Sequence, residues 1–323
     1  MSGGQIHAGL FQIGDITAVI EYALLVLFYL MMAQMVILTL PRALECCERI
    51  RLVLDHSPEI TDLVLGRPGR KRATRKTFSR FPGCLLSRFA DAEEYTLRNL
   101  NFTCRRGETT AIIGGTGSGK STVASLILRF HDATEGALLL NGTDIRQMTQ
   151  QFLRDHLSYV QQKAWLFSGT IADNLRYSRK NATEEELMHA ADVAQAGDFI
   201  RSLPDGLNSY VAQGGTNFSG GQKQRLSIAR ALVKKPELYI FDDSFSALDF
   251  KTDAALRKAL AAETKDAAVL IIAQRVSSIR HAHQIVVLDE GAVAGIGTHE
   301  ELMETCTVYQ EIYESQTKEA QEA

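Results

Sequence analysis

The sequence predicts an α/β domain with a mostly parallel sheet, carried behind one membrane-spanning helix. Three observations predict it: an apolar run at Tyr22–Leu40, a glycine-rich loop between a β-branched run and a helical stretch, and an apolar run closed by two aspartates. At 323 residues the chain has room for one large domain or two ordinary ones. Its 45% hydrophobic and 23% charged content is that of a globular protein, and a net charge of -3 argues against a dedicated nucleic-acid binder. Five scattered cysteines without CxxC spacing read as reduced packing thiols in a cytosolic setting, not as a disulfide frame or metal site.

The first element is the apolar run, broken only by Gln34 and Thr39 and extended upstream by Ile16–Ile20. About 18 apolar residues at 1.5 Å each suffice to cross a bilayer. The run is too long for a signal-peptide core and lacks a basic segment before it. No Lys or Arg precedes it, whereas Arg42, Arg49 and Arg51 follow. Positive charge on the C-terminal side predicts that everything after Pro41 is cytoplasmic, the chain sitting in a cell membrane. Glu21 faces either the membrane interface or other helices, and the sequence leaves both open.

Residues 42–60 read as a helical extension with Leu44, Ile50, Val53 and Leu54 on one side. Residues 61–83 read as a basic linker with an atypical first strand. Arg67–Arg88 contains no acid and is a solvated linker or a surface for anionic headgroups.

The glycine loop follows Ala111–Ile113 as Gly114-Gly115-Thr116-Gly117-Ser118-Gly119-Lys120-Ser121-Thr122, with a helical stretch through Phe130. Strand, loop and helix are the context in which this pattern binds phosphate. Glycines let backbone N–H groups close on the phosphates, and the helix N-terminus adds a favourable dipole. Lys120 is expected to reach the β- and γ-phosphates of ATP, and the Ser121 hydroxyl to hold Mg²⁺. Downstream, Leu238–Phe241 reads as a buried parallel strand ending in Asp242-Asp243, with Asp242 expected at Mg²⁺. Together these are the marks of a P-loop ATPase.

Between them lies Asn217-Phe218-Ser219-Gly220-Gly221-Gln222-Lys223-Gln224-Arg225, with Tyr159-Val160-Gln161-Gln162 before it and Ser246-Ala247-Leu248-Asp249 after. In this order the motifs resemble those of the ABC ATPase family, across about residues 84–310. The resemblance implies a helical subdomain bearing the signature motif, within an ATP-binding domain spanning 84–315. Phe89 matches the aromatic that stacks on adenine. Catalytic positions are implied at Asp243, Gln274 and Gln162, and metal-side positions at Ser121, Gln162 and Asp242. Ser219, Gly220, Gly221 and Gln222 are implied to touch ATP held by a second chain, since such domains work as head-to-tail dimers. Phe167–Ile171 and Gly297–Leu302, with the helix before them, resemble exporter-type half-transporters. Those carry six membrane helices, so by resemblance this chain is a C-terminal portion, a truncated product or a gene fragment. Transport by it alone is not expected, and its cargo is not legible.

Two departures from the family pattern matter. Asp243 stands where the family has a water-polarising glutamate, shorter by about 1.3–1.5 Å. Misplacing a catalytic group by about 1 Å can cost on the order of 10²-fold in rate. Gln274 stands where a switch histidine contacts the γ-phosphate; it can donate a hydrogen bond but carries no imidazolium charge. The pair resembles the degenerate-site half of heterodimeric bacterial exporters, which implies a second half-transporter as partner and slow hydrolysis at this chain's own site.

Pro82-Gly83 is a turn signal where the family has a strand, so residues 66–88 are either divergent or frameshifted. Thr183–Glu186 reads as a capping box, Val269–Ile272 and Ile285–Leu288 as buried strands, and 316–323 as a frayed polar tail. Rival readings are a soluble ABC ATPase acting on DNA or ribosomes, and a nucleotide-binding remnant without transport.

Overall fold

The computed structural model describes residues 13–58, 60–62, 77–80, 84–86 and 96–322. The chain divides into two units, 1–61 and 62–323.

The first unit is a helix, α1 (Ile13–Leu54), of 42 residues. It is long and apolar enough to cross a membrane, and its apolar side chains from Val19 to Leu40 are exposed. At 1.5 Å per residue it is roughly 60 Å long, about twice a bilayer's hydrocarbon core. The helix therefore continues through Pro41 into the expected extension, where Arg49–Glu45 and Arg51–Asp55 pair at i,i+4 spacing.

The second unit is built on an eight-stranded sheet. Its strands are β1 (Cys84–Leu86), β2 (Leu97–Leu100), β3 (Thr109–Gly114), β4 (Leu157–Val160), β5 (Leu238–Asp242), β6 (Ala268–Ile272), β7 (Gln284–Asp289) and β8 (Ala292–Gly297). They lie in the order β1-β2-β8-β7-β3-β6-β5-β4. β7, β3, β6, β5 and β4 run parallel, while β8 pairs antiparallel with β7 and β1 with β2. Successive residues point to opposite faces, so each central strand feeds two cores. Ile113, Phe241, Ile271 and Val287 enter one core; Ile112, Ile240, Leu270 and Val286 enter the other. Covering both faces is what makes these strands wholly apolar.

Helix α2 (Lys120–Ile127) closes one core with Val123, Ala124, Leu126 and Ile127. On the other side α3 (Glu184–Val193) and α4 (Gly220–Lys234) share the larger core. Thr183 and Glu186 form the expected capping box on α3, each side chain bonding the other's backbone N–H.

Two short strands flank the atypical segment. Thr77–Arg80 pairs antiparallel with Thr103–Arg105 and Leu139–Leu140 in a separate sheet, whereas β1 joins the main sheet through β2. Pro82 and Gly83 themselves lie outside the described residues. Phe89, the expected adenine-stacking aromatic, lies outside the described residues. The C-terminal residues differ from the expected frayed tail: α5 (Thr307–Glu322) continues through them as helix, and Gln316 is hydrogen-bonded.

Candidate functional site

Four parallel strands deliver the site to one edge of the sheet. β3 ends at Gly114, β4 precedes Gln162, β5 ends at Asp242 and β6 precedes Gln274. In open α/β sheets the carboxyl ends of the strands are where ligands bind.

The glycine loop is shaped by what it cannot accommodate. A Cβ on Gly114 would collide with the Leu288 carbonyl and lie 2.6 Å from Ser118 Oγ. Gly119 sits at φ +93°, with Leu97 Cδ2 2.5 Å from where a Cβ would be. Both positions require glycine. The turn leaves Gly115, Thr116 and Gly117 exposed at the head of α2 while Ser118 is buried. Thr122 lies in the first turn of α2, half-buried.

Lys120 Nζ donates to the Gly114 and Gly115 carbonyls at 2.8 and 2.5 Å. Burial lowers its pKa, and the charges of Asp242 and Asp243 pull it back up. Ser121 Oγ donates to Asp242 Oδ1 at 3.4 Å, joining the loop to β5. Asp242 is buried, and Tyr159 donates its hydroxyl to Asp242 Oδ2 at 2.9 Å. Burial and the adjacent Asp242 charge push the Tyr159 pKa upward, which keeps the phenol a donor.

Asp243 adopts φ +44°, and its N–H bonds the Ile272 carbonyl at 2.8 Å. The carboxylate accepts from Gln162 Nε2 at 3.0 Å. Burial raises the Asp243 pKa; hydrogen bonds from Gln162 and Ser246 oppose it, Asp242 adds to it, and Arg275 lowers it. Gln274 is exposed in a cleft of about 720 Å³ that Asp243, Ser246 and Arg275 also line.

The expected residues Gly114 to Thr122, Gln162, Asp242, Asp243 and Gln274 thus stand at one edge. Ser219–Gln222 do not join them: among the described residues no hydrogen bond links them to the glycine loop. Ser219 instead caps α4, accepting from the Gln222 N–H at 3.2 Å while its own N–H donates to Gln222 Oε1 at 2.9 Å. Gly220 and Gly221 form the first turn of this capped helix. Tyr159 was not singled out by sequence reasoning, although it stands in the motif that supplied Gln162.

The donor set fits a hard cation with phosphate. Ser121 and Asp242 offer oxygens, and among the described residues no cluster of His, Cys, Asp or Glu forms a metal cage. Mg²⁺ usually takes one or two protein oxygens and completes its shell with phosphate and water.

Residues 97–246 match the family model described as ABC transporter. The chain is 42% identical over 332 residues to an ABC transporter ATP-binding protein of Mycobacterium tuberculosis, covering 98% of this chain and 54% of that protein. It is 37% identical over 284 residues to the ATP-dependent lipid A-core flippase of Haemophilus ducreyi, covering 86% of this chain and 47% of that protein. A solved bacterial Atm1-family ABC exporter with ATP bound matches with a TM-score of 0.79 at 34% identity, covering 95% of this chain and 53% of the exporter. The chain spans about half the length of the relatives it matches.

Proposed function

We propose that this chain, which carries an ABC transporter ATP-binding domain with an exporter-type fold, binds Mg²⁺-ATP at Gly114–Thr122 and serves a membrane exporter as one of two ATP-binding halves. The observation that carries this is the junction of the glycine cradle, Lys120, Ser121 and Asp242 at the ends of adjoining parallel strands. Loop N–H groups and Lys120 bind and orient the phosphates, and Ser121 and Asp242 hold the metal. Mg²⁺ supplies neutralisation of phosphate charge when bound. α1 anchors the domain to a cell membrane with 62–323 on the cytoplasmic side, in keeping with the exposed apolar run and the arginines that follow it.

Hydrolysis at this chain's own site is slow. Asp243 holds the position of the water-polarising carboxylate, yet it is the shorter acid and is tethered to Gln162. Gln274 offers the γ-phosphate an amide where an imidazolium would carry charge. Ser219–Gln222 present the N-terminus of the 15-residue helix α4 to ATP held by a second, non-identical half-transporter. Installing Asp243→Glu with Gln274→His and measuring single-site turnover in the assembled heterodimer tests this. Turnover at the restored site is expected to rise by at least tenfold, on the order that repositioning a catalytic group gives. No gain contradicts the reading of a degenerate site.

A further inference from the structure

Gln316 lies on α5, far in sequence from every motif of the nucleotide site. Its side-chain amide nevertheless bonds the loop that carries Gln274 at two points. Gln316 Nε2 donates to the Gln274 carbonyl at 2.7 Å, and Gln316 Oε1 accepts from the Val276 N–H at 2.8 Å. These two backbone groups flank Arg275 and are the pair that a neighbouring parallel strand would engage. Val276 is buried, so its N–H needs a partner inside the protein, and Gln316 supplies it.

Other supports of this loop come from its own turn, where the Ser278 N–H bonds the Arg275 carbonyl at 3.1 Å, and from the core side. The Ala273 N–H bonds the Ile112 carbonyl at 3.0 Å, and Arg257 donates to the Ser278 carbonyl. The side chain of Gln274 is exposed into the cleft it shares with Asp243 and Gln316. The loop leaves β6, which lies between β3 with the phosphate loop and β5 with Asp242 and Asp243. Its main chain is therefore pinned from the core on one side and from α5 on the other, while the Gln274 side chain stays exposed in the cleft that Asp243 also lines.

We propose that Gln316 is a positioning residue: through the loop backbone it aims Gln274 at the terminal phosphate, so that discrimination of nucleoside triphosphate from diphosphate depends on the C-terminal helix. This rests on the reading above that Gly114–Thr122 binds ATP.

The test is equilibrium binding of Mg²⁺-ATP and Mg²⁺-ADP to the full chain, to Gln316→Met, to Gln316→Glu, to Gln274→Ala and to Gln316→Met with Gln274→Ala. Met keeps the length of glutamine without its hydrogen bonds. Glu keeps the acceptor for Val276 and removes the donor to Gln274, which guards against a fold lost for want of a partner. Both variants are expected to weaken ATP by about fivefold, the ratio one net hydrogen bond gives, with ADP within about twofold. In the Gln274→Ala background, Gln316→Met is expected to add nothing, because the two act as one unit. Equal weakening of ATP and ADP, or full additivity of the two substitutions, overturns the proposal. An unsubstituted chain that binds neither nucleotide overturns the ATP-binding reading itself, an outcome distinct from either.

Discussion

Asp243 sits in a left-handed turn at the end of β5, partly buried between Asp242 and the Gln274 loop. Burial raises its pKa, so the fold favours the protonated acid. The ionised carboxylate therefore costs stability at neutral pH, and that cost disappears as pH falls below the unfolded value of about 4. Asp243→Asn keeps an oxygen to accept from Gln162 and removes the charge. Its melting temperature is expected to exceed that of the unsubstituted chain at pH 7.5, with the gain shrinking toward pH 4; an equal gain at both pH values contradicts this. The place of Asp242 at the end of a buried strand was legible from the apolar run before it. The Tyr159 contact was not, because it depends on the register that sets Tyr159 beside Ile240 across β4 and β5. No spacing within one strand reports which residue a neighbouring strand will face.

Elements were legible where local signals and burial agree. The apolar runs of β5, β6 and β7 are strands covered on both faces, and Thr183 caps α3 as its Thr-x-x-Glu pattern predicts. The capping role of Ser219 stayed hidden behind its expected contact with a partner's nucleotide, although Ser-x-x-Gln carries the same signal. Ser219→Ala removes the side chain that satisfies the Gln222 N–H, and is expected to cost about 1 kcal/mol of stability in chemical denaturation. Ser219→Asn, which caps as well, is expected to recover most of it; equal loss in both contradicts the capping account. The sequence around Pro82-Gly83 did not report that Thr77–Arg80 and β1 join different sheets. Polarity suggested a frayed end after Ser315, whereas α5 is held there by Gln316. A polar residue with a long-range partner is indistinguishable in sequence from one facing water.

At the scale of the whole molecule, the topology gathers residues from four segments that are distant in sequence onto one sheet edge. β3, β6, β5 and β4 are adjacent and parallel, so their carboxyl ends bring Gly114, Gln274, Asp242 and Gln162 to the same edge. The order of motifs in the sequence made this gathering legible. The most direct test is the affinity of the full chain for ATP with and without Mg²⁺, beside Lys120→Ala. Binding that needs Mg²⁺ and is weakened by about tenfold or more in Lys120→Ala, as loss of a charged phosphate contact implies, is the predicted result. Affinity that is independent of Mg²⁺ and unmoved by Lys120→Ala would contradict the account.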